Sequence, residues 1–434
     1  MIIPRSVDEQ YAAAAGDEVR ILIVGGGIAG ITLAQLLRAR GRHPVLIERS
    51  PDLARMTDDN HAGYMLALMP MVDPVFTELE VWDEYRERSV EIDRYTFHSR
   101  TGDVIRSDRL GRLLDPYGEY RGIARGALID VLATADCPIA FGTTVTDLSE
   151  DETVTVELET AASEPDPTDA EATSLMEEFD LVVIADGLNS RTRRFVPGGR
   201  SLGSVDTAWG GWVAWAPADA DPRDGSELWG DGFFLGAYPV KDRIGIFLGC
   251  PDSRQPLGPR RFAAEVRGKL ENLSPRLDSA LTAVAEADDP FFWPLRDART
   301  SRWATGRTVL LGDAAAGFLP TAGIGAGMAM ESAWALGRRL AETDRRSLPD
   351  DLRAYEQGQR PRVESAQDNS RQLAGLMFSD STILAVLREK LLGLLSVKVA
   401  LKPIIALLDT PAAASADNPS LPGPQPWRPT PTPA

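Results

Sequence analysis

Cysteine and histidine are almost missing from this chain of 434 residues. The two cysteines, Cys137 and Cys250, are far apart and form no Cys-x-x-Cys pair. That argues against a structural disulfide or zinc site and for a reducing, cytoplasmic setting. The three histidines, His43, His61 and His98, have no metal-ligand spacing and sit in no nucleophile motif, so no metal is expected and Ser-His-Asp hydrolysis is disfavoured. Excess positive charge is missing too. The formal net charge of -18 argues against nucleic acid or anionic membrane as a partner. Long apolar runs are absent: the richest late stretch, Leu391 to Leu408, contains Lys398, Lys402 and Pro403 and reads as a buried or capping amphipathic helix, with no stable membrane association expected. The first residues, MIIPRSVDEQ, lack the basic start and apolar core of a signal peptide.

What is present is glycine in particular places. Val19 to Val24 is a short apolar run, as expected for a parallel strand buried on both faces. It breaks at Gly25-Gly26-Gly27, a helical pattern runs from Ile28 to about Arg40, and Pro44 to Ile47 reads as a second strand ending at Glu48. Strand, glycine turn, helix and strand is the context a dinucleotide fingerprint requires. Gly25 permits the tight turn, Gly27 lets a pyrophosphate approach the backbone, and Gly30 lets the helix pack close to the strand. Ala29 lies in the same helix start, whose open amides favour a diphosphate. Glu48, at the strand end, is placed to accept ribose hydroxyls.

Two later segments have related chemistry. Ala185-Asp186-Gly187-Leu188-Asn189-Ser190 follows the buried strand FDLVVI, so the loop leaves the carboxyl edge of a sheet, where ligands bind in open α/β folds. An Asp-Gly turn there can approach a pyrophosphate, and Arg191, Arg193 and Arg194 can offset its charge. Leu311-Gly312-Asp313-Ala314-Ala315 then ends another buried strand, with Asp313 placed to hold a polyol hydroxyl. Beyond Pro320, the small residues Gly323, Gly325 and Ala326 let backbone approach a flat ring, and a helix from about Gly325 to Ala341 points its amides there.

VGGGIAG with Glu48-Arg49, then ADGLNS, then LLGDAA with Pro320 and a Gly-x-Gly turn stand in the order and spacing of the para-hydroxybenzoate hydroxylase family. Over residues 19 to 345 the chain resembles these single-component, group A FAD monooxygenases. The resemblance implies non-covalent FAD, with NADH or NADPH as donor and O2 added as a flavin C4a-hydroperoxide. It implies that Asp186 and Gly187 serve FAD and the nicotinamide donor, that Arg49 and Arg125 contact FAD, that Asp313 holds the ribityl chain and that Pro320 lies beside the flavin edge. Three departures are visible. Ala316 stands where the family has His, Ile324 where it has Gln, and Glu331-Ser332 where it has Asp-Ala. Flavin halogenases share the fold but carry Trp-x-Trp-x-Ile-Pro and an early lysine. Here the nearest segment is Trp212 to Pro217 with other spacing, and no lysine precedes Lys241.

The expected architecture is α/β: a Rossmann-like FAD-binding domain, an α+β substrate domain on a mixed sheet, and C-terminal helices. Residues 1–17 form a flexible leader; 18–110, 118–204 and 295–345 form the discontinuous FAD domain, with 160–178 an acidic loop insert. Residues 205–294 with parts of 60–117 form the substrate domain, with a turn at Gly225 and another at Lys241-Asp242. Residues 346–408 are helices and 409–434 a disordered tail. Trp212, Phe234, Tyr238 and Thr321 are assigned to an aromatic-friendly substrate pocket, although the aromatics also read as sheet core. His61 and Cys137 leave covalent flavin attachment open. The expected reaction is oxygenation of an apolar aromatic or polycyclic secondary metabolite, by hydroxylation, epoxidation or Baeyer–Villiger insertion, in a monomer or homodimer. The alternatives are a flavin dehydrogenase or reductase on the same fold and an FAD-binding scaffold or sensor without turnover.

Overall fold

The computed structural model describes residues 1–58, 65–133, 135–161, 173–196, 198–199, 202–394, 401–410 and 412. Two sheets organise it. The first is parallel and four-stranded, in the order Thr308–Leu310, Leu181–Ile184, Ile21–Val24, Val45–Ile47. Every residue in these strands is buried, which is why they read as unbroken apolar runs rather than alternating ones. Helix Ile28–Ala39 and helix Gly325–Ala341 pack together beside it. Gly30 makes the helix start possible: a Cβ there would lie 2.0 Å from the Gly25 carbonyl oxygen.

The second sheet is mixed and seven-stranded, in the order Phe292–Thr300, Leu202–Pro217, Arg243–Pro251, Phe234–Val240, Asp224–Trp229, Arg94–His98, Val104–Arg109. All neighbours are antiparallel except Asp224–Trp229 with Arg94–His98. The central strands Phe234–Val240 and Arg243–Pro251, with the second half of Leu202–Pro217, bury both faces. One face carries Trp212, Leu235, Ile246 and Leu248 against helices Gly258–Lys269 and Pro275–Ala285. The opposite face carries Trp209, Val213, Phe234 and Phe247 against Met377 at the end of helix Leu348–Met377. Gly225 lies inside strand Asp224–Trp229, so the expected turn falls just before it. Lys241-Asp242 is a turn as expected, with Asp242 at φ 62.

A small sheet joins the two bodies. Strand Arg121–Ala124 pairs with Met65–Leu68 and Val90–Glu91. Its Gly122 lies so near strand Phe234–Val240 that a Cβ would meet the Pro239 carbonyl oxygen at 2.0 Å.

One expected loop, and the end of another, are ordered instead. In the supposed leader, Ile2–Pro4 pairs in parallel with Cys137–Ile139, and helix Val7–Ala13 is closed by a capping box between Ser6 and Glu9. Buried Ile2 and Val7 and the Tyr11 ring against Phe179 anchor it to the core. In the acidic insert, Thr173–Phe179 is a strand paired antiparallel with Val154–Thr160, which in turn pairs with Thr143–Glu150. Residues 162–172 of that insert, and the expected tail from 413 to 434, lie outside the described residues. Among the described residues, no helix is long and apolar enough to cross a membrane.

Candidate active site

The carboxyl edge of the parallel sheet opens into a cleft of about 540 Å³ that continues to the inner face of the mixed sheet. Three loops from distant sequence meet there. Gly25, Gly27, Ala29, Glu48 and Arg49 line it from the first strand–turn–helix, Asp186 and Gly187 from the second segment, and Asp313, Pro320, Thr321, Gly323, Gly325 and Ala326 from the third. Arg125 reaches it from the helix after strand Arg121–Ala124. Gly30 does not line the cleft; its part is the close packing already described.

The first turn is fixed by hydrogen bonds. The Gly25 N–H donates to the Ile47 carbonyl at 2.9 Å. Glu48 accepts from the Gly26 N–H through Oε2 at 2.7 Å and from the Ser50 N–H through Oε1 at 2.8 Å. The carboxylate thus shapes the glycine loop while facing the cleft, where it retains lone pairs for a ribose. Arg125 donates to the Met56 carbonyl at 2.7 Å.

Arg193 departs from the sequence reading. Instead of meeting a pyrophosphate it is buried and donates to four carbonyl oxygens: Ala314 and Asp313 on one loop, Gly187 and Leu188 on the other. It is a staple between the second and third segments. Arg194 points away, donating to the Thr146 carbonyl and lying over the Phe195 ring, so only Arg191 of the three lines the cleft. Asp313 is open to the cleft and closed in by protein on its other sides. That confinement pushes its carboxyl up to about 6, with the Arg193 guanidinium pulling the other way.

Whether these residues suit FAD is testable in the geometry. Beside Gly27, a Cβ would meet nothing within 4 Å; the same holds at Gly187, held at φ 84. Both leave backbone open to a close-lying ligand. Asp186 Oδ1 is buried and meets no hydrogen-bond donor among the described residues, while Oδ2 accepts from the Thr192 N–H at 3.3 Å. Helix Ile28–Ala39 begins at Gly27 with no side-chain cap, and helix Gly325–Ala341 likewise begins uncapped at Ile324. Open amides, an acceptor awaiting a donor, and a carboxylate at the cleft wall fit a diphosphate and a polyol.

The far end of the cleft is apolar. Phe234 and Tyr238 face it, as expected. Trp212 does not: it lies on the opposite face of the sheet, its ring 5.1 Å from Phe292 and 5.7 Å from Phe262. Side-chain direction alternates along a strand, and Trp212 pairs with Leu248 whereas Val213 pairs with Phe247, so the parity places Trp212 under the helices. Sequence reasoning missed Phe247, Trp293, Met65, Met377 and Phe378. The last two come from the end of a late helix, and no local pattern marks them. Thr321 lines the cleft, but its hydroxyl donates to the Ser370 carbonyl at 2.7 Å.

The three departures from the family pattern do not line the cleft. Ala316 is buried in a bridge to Arg299, and Ile324 is buried as well. Glu331 is paired with Arg362, and Ser332 meets Gln359. Cys137 is also buried away from the cleft, and His61 lies outside the described residues.

Comparison with known proteins agrees with this geometry. A family profile described as "FAD binding domain" matches residues 18–370. The chain is 27% identical over 369 residues to 6-hydroxynicotinate 3-monooxygenase of Bordetella bronchiseptica, covering 80% of this chain and 89% of that one. It is 28% identical over 403 residues to aurachin C monooxygenase/isomerase of Stigmatella aurantiaca, covering 87% and 94%. In fold it is similar to Klebsiella pneumoniae HpxO complexed with FAD and uric acid, with a TM-score of 0.75 at 20% identity, over 91% of this chain and 98% of that one.

Proposed function

The chain belongs to the FAD binding domain family and is an FAD-dependent monooxygenase, and from that premise we propose that it oxygenates a bulky, apolar, aromatic or polycyclic small molecule with NADH or NADPH as donor. FAD held here would supply the redox chemistry, with two electrons coming from the nicotinamide and the two atoms of O2 going one to substrate and one to water. The protein's own residues bind, orient and exclude water. Gly25, Gly27, Asp186 and Gly187 are assigned to the diphosphate and Asp313 to the ribityl hydroxyls. The uncapped start of helix Gly325–Ala341 lines the cleft, and its amides would favour negative charge on a flavin held there.

One observation carries the substrate class. Phe234, Phe247, Trp293 and Phe378, with Met65 and Met377, close the far end of the cleft. Such a wall favours a flat, apolar ring system and keeps water from the reacting position. Because the departures at Ala316, Ile324 and Glu331-Ser332 lie off the cleft, they give no support to a dehydrogenase. The test is direct. Purified protein should carry flavin that acid precipitation releases into solution. A true substrate should accelerate NAD(P)H oxidation, and isotopically labelled O2 should label the product. Unlabelled product would assign a dehydrogenase, and flavin without substrate-stimulated oxidation would assign a binding scaffold.

A further inference from the structure

A buried carboxylate stands behind the aromatic end of the cleft, and no step so far uses it. Glu227, 7% exposed, lies on strand Asp224–Trp229 directly opposite Gly236. With no side chain at Gly236, the Tyr238 ring folds over that position, so that a Cβ there would be 2.5 Å from the tyrosine hydroxyl. Three donors converge on the carboxylate. Tyr238 and Tyr95 donate their hydroxyls to Oε1 at 2.8 and 2.6 Å, and the Trp229 indole N–H donates to Oε2 at 2.7 Å. Of these residues, Tyr238 lines the cleft. Burial raises the Glu227 carboxyl from its ordinary value, while the three hydrogen bonds favour the ionised form. An ionised carboxylate only accepts, so the Tyr238 proton is directed away from the cleft.

We propose that Glu227 is a positioning residue: by taking the Tyr238 proton it makes that hydroxyl present an acceptor to the cleft, and so selects substrates whose polar end is a donor, a hydroxyl or a ring N–H. This rests on the reading that the aromatic end of the cleft holds substrate. The preference follows from cost. A buried acceptor facing an ether loses the hydrogen bond that an alcohol supplies.

The experiment compares β-naphthol with its methyl ether, each titrated into the FAD holoenzyme and followed by perturbation of the flavin absorbance. Wild type should bind the naphthol about tenfold or more tighter than the ether. Tyr238→Phe should erase that preference. Glu227→Gln should level or reverse it for a specific reason. The Trp229 indole can only donate, so it holds the amide oxygen, which turns the amide N–H groups toward the two tyrosines and the Tyr238 proton toward the cleft. A preference unchanged in both variants, or absent from wild type, overturns the inference while leaving the aromatic cleft intact. Weakening of both ligands alike, with the ratio preserved, assigns Glu227 a structural role only and also overturns it. If neither ligand perturbs the wild-type flavin, the aromatic substrate reading itself fails and this inference with it.

Discussion

Gly27 and Gly30 are three residues apart and should answer the same substitution in opposite ways. A Cβ at Gly27 would enter open cleft, whereas one at Gly30 would strike the Gly25 carbonyl oxygen. Gly27→Ala should leave folding within about 1 kcal/mol and weaken FAD binding about tenfold or more. Gly30→Ala should cost the fold about 3 kcal/mol, because backbone rather than a flexible side chain blocks the methyl. Melting of apoprotein and titration with FAD separate the two. Asp313 makes a second prediction at this scale. Its folded value of about 6 exceeds the ordinary 3.8, so the folded chain holds the proton more tightly. Above about pH 6 the ionised carboxyl is a standing cost, tempered by its opening to the cleft, and the cost fades as pH falls toward the ordinary value. Apo Asp313→Asn should therefore exceed wild type in melting temperature at about pH 7.5, with the gap closing toward about pH 5. FAD affinity should move the other way in wild type, falling as pH drops through about 6, because an ionised carboxyl is the better acceptor for ribityl hydroxyls. The Asn variant should show no such slope, and Asp313→Ala should fold yet fail to retain FAD.

Between elements, the staple at Arg193 and the parity of one strand matter most. Arg193→Met removes a buried group that holds two loops through their carbonyls. It should destabilise by about 3 kcal/mol and lose FAD, whereas Arg194→Ala, with one exposed hydrogen bond, should stay within about 0.5 kcal/mol. Trp293→Ala should raise KM for an aromatic substrate, and Trp212→Ala should lower melting temperature without a selective KM effect. Steady-state kinetics beside thermal melts distinguishes them. The glycine loops were legible because a turn, a close approach and a helix start each demand a particular residue. Helix Gly325–Ala341 was legible for the same reason, its start marked by the Gly-Ile-Gly turn. The facing of Trp212 was not. The parity that meets the cleft is set by pairing with strand Arg243–Pro251, where Trp212 lies opposite Leu248 and Val213 opposite Phe247, and nothing in the local sequence announces it. Nor was Glu227, because its three donors come from positions 95, 229 and 238, and their convergence exists only in the paired sheet.

For the whole molecule, cofactor and fold are linked. On the proposed placement FAD would bridge loops from three parts of the chain, so added FAD should stabilise the fold with the logarithm of its concentration, by about 2.7 kcal/mol at a hundredfold excess over Kd, read as a rising melting temperature. A melting temperature indifferent to added FAD would contradict the wrapped site. The apolar runs foretold the parallel sheet at this scale, while the ordered start of the chain escaped notice. Ile2–Pro4 is only three residues long and ends in proline, and only its partner Cys137–Ile139, far along the chain, gives it a reason to be a strand.

The near-contact of Gly122 with the Pro239 carbonyl has a practical side for protein engineering. Anyone transplanting a foreign mixed sheet onto this nucleotide-binding body inherits a seam where main chain abuts main chain. Donor segments whose counterpart of residue 122 bears even a methyl group would force the halves apart, so recombination boundaries belong outside both strands, with the two exchanged together or left together.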